Sequence, residues 1–162
     1  MSQPKTQLQQ VTEHLLTGLT PYVTANSIDA WQENGTLMLN GEDKGAGSYQ
    51  IAKWKHSAII AIEKFPHLKV APYNLLAMLA AFLLASDWPR DTYGLADPQI
   101  DLDIISNDNA TVIIELELMD DIELIPDEEG PVLYLGNRYR VALAEVFVAE
   151  EAELVAGAGG DE

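Results

Sequence analysis

Gln99-Ile100-Asp101-Leu102-Asp103-Ile104-Ile105, then Ser106-Asn107-Asp108-Asn109, then Ala110-Thr111-Val112-Ile113-Ile114-Glu115-Leu116-Glu117-Leu118 is the stretch on which the reading turns. Two alternating apolar/polar runs flank a cluster of turn formers, the pattern of a β-hairpin with one buried and one wet face. Matching the apolar faces predicts Leu102 opposite Ile114 and Ile104 opposite Val112, with a three-residue loop Asn107-Asp108-Asn109. Asn109 then occupies the left-handed position that Asn tolerates. The same register sets Asp101 opposite Glu115, Asp103 diagonal to it and Glu117 one step further along. Like charges directly opposed cost roughly 0.2–1 kcal/mol. A positive partner or open water is therefore expected against Asp101, Asp103, Glu115 and Glu117, which makes them candidate interface residues.

Working back along the chain, Ser48 to Phe65 is rich in strand formers and reads as one long strand or a bent pair. Ile51, Lys53, Lys55 and Ile59 fall on one face, with Ala52, Trp54, Ala58, Ile60 and Ile62 on the other. Lys53 and Lys55 are the most economical partners for the four carboxylates. Arg138 and Arg140 of the last predicted strand are further candidates. Before this strand, Ile28-Asp29-Ala30-Trp31 and Thr36-Leu37-Met38-Leu39 read as two short strands joined at Glu33-Asn34-Gly35, because Asn-Gly between alternating runs is a strong hairpin signal. Gly41 to Gly47 lacks the spacing and following helix of a phosphate loop and reads as a connection.

Helices are expected on either side. Leu8, Val11, Leu15 and Leu16, extended by Thr12 and Leu19, form a helical stripe over Thr6 to Gly18, with Gly18 and Pro21 as a stop. Tyr73 to Trp88 is apolar nearly all round, opened by Pro72 and closed by Trp88-Pro89, and reads as a helix buried by its own sheet and by another subunit. Downstream, Asp120 to Gly130 is an acidic connection. Val132 to Leu135 and Arg138 to Val141 form a hairpin about Gly136-Asn137, Ala142 to Val155 is a last strand or short helix, and Gly157 to Glu162 is a flexible tail. Residues 1–155 are expected to form one domain, and residues 156–162 an acidic tail.

The chain has 162 residues, enough to bury roughly 70% of its unfolded surface. It has no cysteine, which excludes disulfides and thiolate metal sites. The formal net charge of −17 is lopsided: residues 1–96 carry seven basic and eight acidic residues, residues 97–162 two and eighteen. Such a chain is suited neither to the phosphate backbone of nucleic acid nor to an anionic membrane. The polar start, Met1 to Gln10, lacks the apolar core of a signal peptide, and the run Ala71 to Ala85 is shorter than the ~20 residues of a membrane helix, so a soluble cytoplasmic product is expected. His14, His56 and His67 are scattered without metal-ligand spacing, and no nucleophile elbow or dinucleotide fingerprint is present. No catalytic, cofactor-binding or metal residues are expected.

The order of helix, Asn-Gly hairpin, long strand, apolar helix opened by Pro72-Tyr73-Asn74-Leu75-Leu76, and Asp101-Leu102-Asp103-Ile104-Ile105-Ser106-Asn107-Asp108 running into Glu115-Leu116-Glu117-Leu118 resembles the phage tail completion protein R family of contractile-tailed temperate phages. The resemblance extends from about Leu8 to Val141 and includes Leu133-Tyr134-Leu135-Gly136-Asn137. Met119-Asp120-Asp121 departs from a commoner Glu-Arg pair, which puts in doubt an arginine's interface role there. The resemblance implies a non-enzymatic α+β protein, tail terminator-like, whose mostly antiparallel sheet of hairpins packs on one amphipathic N-terminal helix and one buried apolar helix. It implies a virion-tail protein, assembled in the host cytoplasm, that completes the tail at its head-proximal end so that head and tail can join. By analogy it forms a homohexamer ring whose partners are itself, the tail tube and sheath proteins and the head–tail connector, with no cofactor, membrane or sequence-specific nucleic acid. The competing reading is an acidic cytosolic adaptor or inhibitor that binds a basic partner.

Overall fold

The computed structural model describes residues 4–143. Its α+β architecture is a curled six-stranded antiparallel sheet with two helices against one face. Helix α1 (Gln7–Leu19) starts at a capping box: Thr6 Oγ1 accepts the Gln9 N–H at 3.1 Å, and Gln9 Oε1 accepts the Thr6 N–H at 2.8 Å. Its stripe Leu8, Val11, Leu15 and Leu19 is fully buried, as the spacing predicts.

Strands β1 (Ile28–Gly45) and β2 (Ser48–Phe65) form a long ribbon. The Asn34-Gly35 hairpin of the sequence reading does not form. β1 runs straight through it, with one extra residue between the pairs Gln32↔Ala58 and Gly35↔His56. That bulge needs glycine, because a Cβ on Gly35 would lie 2.2 Å from the Lys55 carbonyl oxygen. The chain instead reverses at Ala46-Gly47, both at positive φ (54° and 82°), the two-residue form that follows strand twist. Most of the glycine-rich stretch is thus strand and not loop.

Helix α2 (Pro72–Ala85) has Pro72 at its first position, where the missing N–H costs nothing, and ends three residues short of the expected Trp88. Only Leu75, Leu79 and Leu83 are buried. Tyr73 is 82% and Leu84 85% exposed, so within its own chain the helix is covered on one side, and the face expected against another subunit is bare. α1 and α2 approach closely at Gly18, where a Cβ would fall 2.3 Å from Met78 Cε.

Strands β3 (Gln99–Ile104), β4 (Ala110–Pro126), β5 (Val132–Tyr134) and β6 (Asn137–Val141) complete the sheet in the order β1-β2-β4-β6-β5, with β3 beside the first part of β4. The acidic segment after Asp120 is strand as far as Pro126, paired through Lys53↔Asp121 and Tyr49↔Leu124, and not a connection. The last hairpin turns at Leu135-Gly136, both at positive φ, one residue earlier than predicted. Of the final predicted element only Ala142 and Leu143 lie among the described residues; the tail and the 155/156 boundary lie outside them.

The core joins the two leucine stripes to Ala58, Ile60 and Ile62 of β2 and Val112, Ile114, Leu116 and Leu118 of β4. Each large side chain so buried contributes roughly 1.5–3 kcal/mol. Alternation therefore assigns the opposite face of β2, β3 and β4 to a mixed set in which charged residues alternate with Ile59, Ile113 and Met119.

Candidate interaction surfaces of the sheet

On that helix-free face lie Asp101 and Asp103 of β3 with Glu115 and Glu117 of β4, as the alternation requires. The register differs from the predicted one by two residues: Leu102 pairs with Val112, Ile104 with Ala110, Asp101 with Ile113 and Asp103 with Thr111. Glu115 faces Gln99 on one side and Ile59 on the other. A shift of two preserves every face and removes the direct opposition of carboxylates. The loop closes by Ile105 N–H and Ser106 N–H both donating to the Asn109 carbonyl at 3.1 Å.

Lys53 and Lys55 share this face, but Lys53 pairs with Asp121, Nζ to Oδ1 at 2.7 Å, and stands over the Tyr93 ring at 5.4 Å. Lys55 faces Met119 and is diagonal to Glu117. Arg140 pairs with Asp127 at 3.9 Å, and Arg138 sits exposed on β6. Among the described residues no ion pair joins the four carboxylates to Lys53, Lys55, Arg138 or Arg140.

Glu117 has a different role, which the sequence reading missed. β4 is flanked by β3 only from Ala110 to Glu115 and by β6 only from Leu124 to Pro126, so its middle is an edge. Arg90, from the segment after α2, fills part of the gap: Nη1 donates to the Glu117 carbonyl at 2.6 Å and Nη2 to the Ala96 carbonyl at 2.7 Å. Glu117 Oε1 accepts the Ala96 N–H at 2.9 Å. Burial lowers the Arg90 pKa, against the raising influence of Asp97, Glu117 and Asp91.

The N-terminus of α1 fills the rest. Gln7 Oε1 accepts the Met119 N–H at 3.0 Å, and Asp120 Oδ1 accepts the Gln7 N–H at 2.8 Å. Asp120 is buried, and burial raises its pKa above the ordinary 3.8 despite the Gln7 bond and nearby His56, with Asp121 adding to the rise. His56 Nδ1 faces the Trp54 carbonyl at 3.0 Å, so that nitrogen carries the hydrogen. His56 Nε2 and Asp120 Oδ2 lie 3.9 Å apart, each buried without a hydrogen bond.

Among the described residues three strand edges remain open, those of β1, β3 and the short β5. Among the described residues β1 pairs only with β2, and β3 only with β4. Beside β3, Leu76, Ala80, Leu84, Trp88, Pro98 and Ile100 help line an apolar groove of about 620 Å³. Further along β3, Leu102 and Ile104 are also exposed. A chain with paired inner strands, free strand edges and an apolar helix face left bare is shaped for protein contact, and among the described residues no cluster of three metal-ligating side chains occurs.

A model of the P2 phage tail completion protein R (GpR) family matches residues 5–142, nearly the whole described fold. A relative is the uncharacterised 19.2 kDa protein of the rep–hol intergenic region of Haemophilus phage HP1 (strain HP1c1), 27% identical over 147 residues that span 91% of this chain and 88% of that protein. No solved structure matches the chain. From Lys5 to Ala142, across both helices and all six strands, the chain belongs to the P2 phage tail completion protein R family.

Proposed function

We propose that this chain completes a phage tail at its head-proximal end, where it stops tube and sheath growth and lets the tail join the capsid. The observation that carries the proposal is the family match, which covers every element of the sheet and both helices and not one motif alone. The part it plays is structural, as a virion-tail component in contact with tube, sheath and connector proteins. By analogy with tail terminators the working form is a ring, taken here as a hexamer.

In that ring the helix-free face looks toward the channel. Asp101, Asp103 and Glu115 then offer carboxylates to passing DNA, whose phosphates they repel, so the wall does not bind its cargo. Six copies at −17 each bring more than one hundred formal negative charges together, so closure is favoured by salt, by divalent cations or by basic tube and sheath surfaces.

The test is a phage lysate made without the chain. Tails with unregulated tube and sheath ends that fail to join heads are expected. Tails of normal length on filled heads would overturn the proposal, and recovery of the chain with a nuclease or polymerase would favour the acidic-adaptor reading.

A further inference from the structure

Two of the open edges of the sheet, those of β1 and β3, are complementary. β1 is antiparallel to β2, β2 to β4 and β4 to β3, so β1 and β3 run in opposite directions at opposite sides of one sheet. When one copy is set beside the next in a head-to-tail manner, β3 of the first meets β1 of the second antiparallel, the pairing used by every ladder in the chain. An interface between two different edges is heterologous, the kind that closes into a ring when the rotation from copy to copy divides a full turn.

The side chains agree with that pairing. Past its bulge β1 carries Leu37 and Leu39, opposite Trp54 and Ala52, on the same face as the helices, and they are 51% and 78% exposed. β3 carries Ile100, Leu102 and Ile104 on that same face, also exposed. On the other face of β1 come Thr36 and Met38, opposite Lys55 and Lys53.

We propose that β3 of one copy pairs with β1 of the next, with Leu102 opposite Leu37, so that the sheet continues from subunit to subunit. This rests on the ring reading above and names its contact. The register sets Ile100 against Leu39 and Ile104 against Gly35, where the missing side chain leaves room. Asp103 then lies in one row with Thr36 and Lys55 of the neighbour, and Asp101 in one row with Met38 and Lys53. Two strand spacings are roughly 10 Å, a gap that Lys and Asp side chains bridge from opposite ends. The cation that the acidic face lacks within its own chain is supplied by the next: Lys55, which makes no ion pair among the described residues.

The chain has no cysteine, which makes the test clean. Leu37→Cys and Leu102→Cys, both at exposed positions, are made singly and together and oxidised at high salt, roughly 0.5 M, where self-repulsion is screened. Each single variant should stay uncrosslinked, their mixture should give dimers, and the double variant a ladder of multimers that closes. In a second series at roughly 0.1 M salt, where a charge pair across two strand spacings is less screened, Asp103→Lys should lower the crosslinked fraction at least about tenfold, and Asp103→Lys with Lys55→Asp should restore it. Crosslinking of either single variant with itself would show a two-fold interface and overturn the proposal. No crosslink in any combination would leave the edges to another tail component and also overturn it. Incorporation of the unsubstituted chain into tails is scored separately, so tail completion can stand when edge pairing fails.

Discussion

The Asp120 carboxylate accepts the Gln7 N–H at 2.8 Å while the Gln7 carboxamide accepts the Met119 N–H at 3.0 Å, so residues 113 positions apart fasten the start of α1 to the open middle of β4. A carboxylate at the first turn of a helix suits the macrodipole. Its burial works the other way and raises its pKa. The folded chain therefore holds the Asp120 proton to higher pH than the unfolded chain does. The sign follows: this contribution to stability is full below 3.8 and is lost as pH rises through the raised folded value. Asp120→Asn keeps an acceptor for Gln7 and removes the titration. Its urea midpoint should vary less between pH 4 and 7 than the parent's and should exceed it at the upper end. Asp120→Ala should cost about 1–3 kcal/mol by leaving the Gln7 N–H unpaired.

Gly35 and Gly18 predict opposite outcomes for one substitution. Gly35→Ala drives a methyl into the Lys55 backbone and should destabilise by about 1–3 kcal/mol. Gly18→Ala meets only the end of the flexible Met78 side chain and gains helix propensity, worth up to about 1 kcal/mol. It should be neutral or stabilising. Thermal melts of the two variants decide both.

The carboxylates divide by their contacts. Asp101, Asp103 and Glu115 are exposed and without ion pairs among the described residues, so changing all three to Ser should leave the protomer's stability within about 0.5 kcal/mol. Glu117→Ser removes the acceptor of the Ala96 N–H and should cost more. Chemical denaturation separates the two groups. Under the channel reading, the triple variant should also slow DNA exit in an ejection assay.

Arg90→Gln loses the fork that ties the segment after α2 to β4. About 1–3 kcal/mol is expected, with faster amide exchange from Trp88 to Ala96 before any in the core.

Much of this fold was legible because its core strands and α1 alternate or repeat cleanly. The stripe of α1, the faces of β2 and the wet side of Asp101 to Glu117 all follow from period alone. The misses have physical causes. Asn34-Gly35 carries the local hairpin signal, yet β1 continues because its residues on both sides of the bulge pair with β2. The β3–β4 register moved by two, a shift that periodicity cannot detect because it exchanges no faces. The bonds of Arg90 to β4 and of Gln7 to Asp120 fill a strand edge from distant segments, and no local pattern announces them.

A tail-completing ring should be visible in electron-microscopic class averages of the purified chain at salt high enough to screen its charge, roughly 0.5 M. Closed rings of uniform size, matching the density at the head-proximal end of intact tails, are predicted. Monomers at every salt and protein concentration, with no such density on tails, would contradict it.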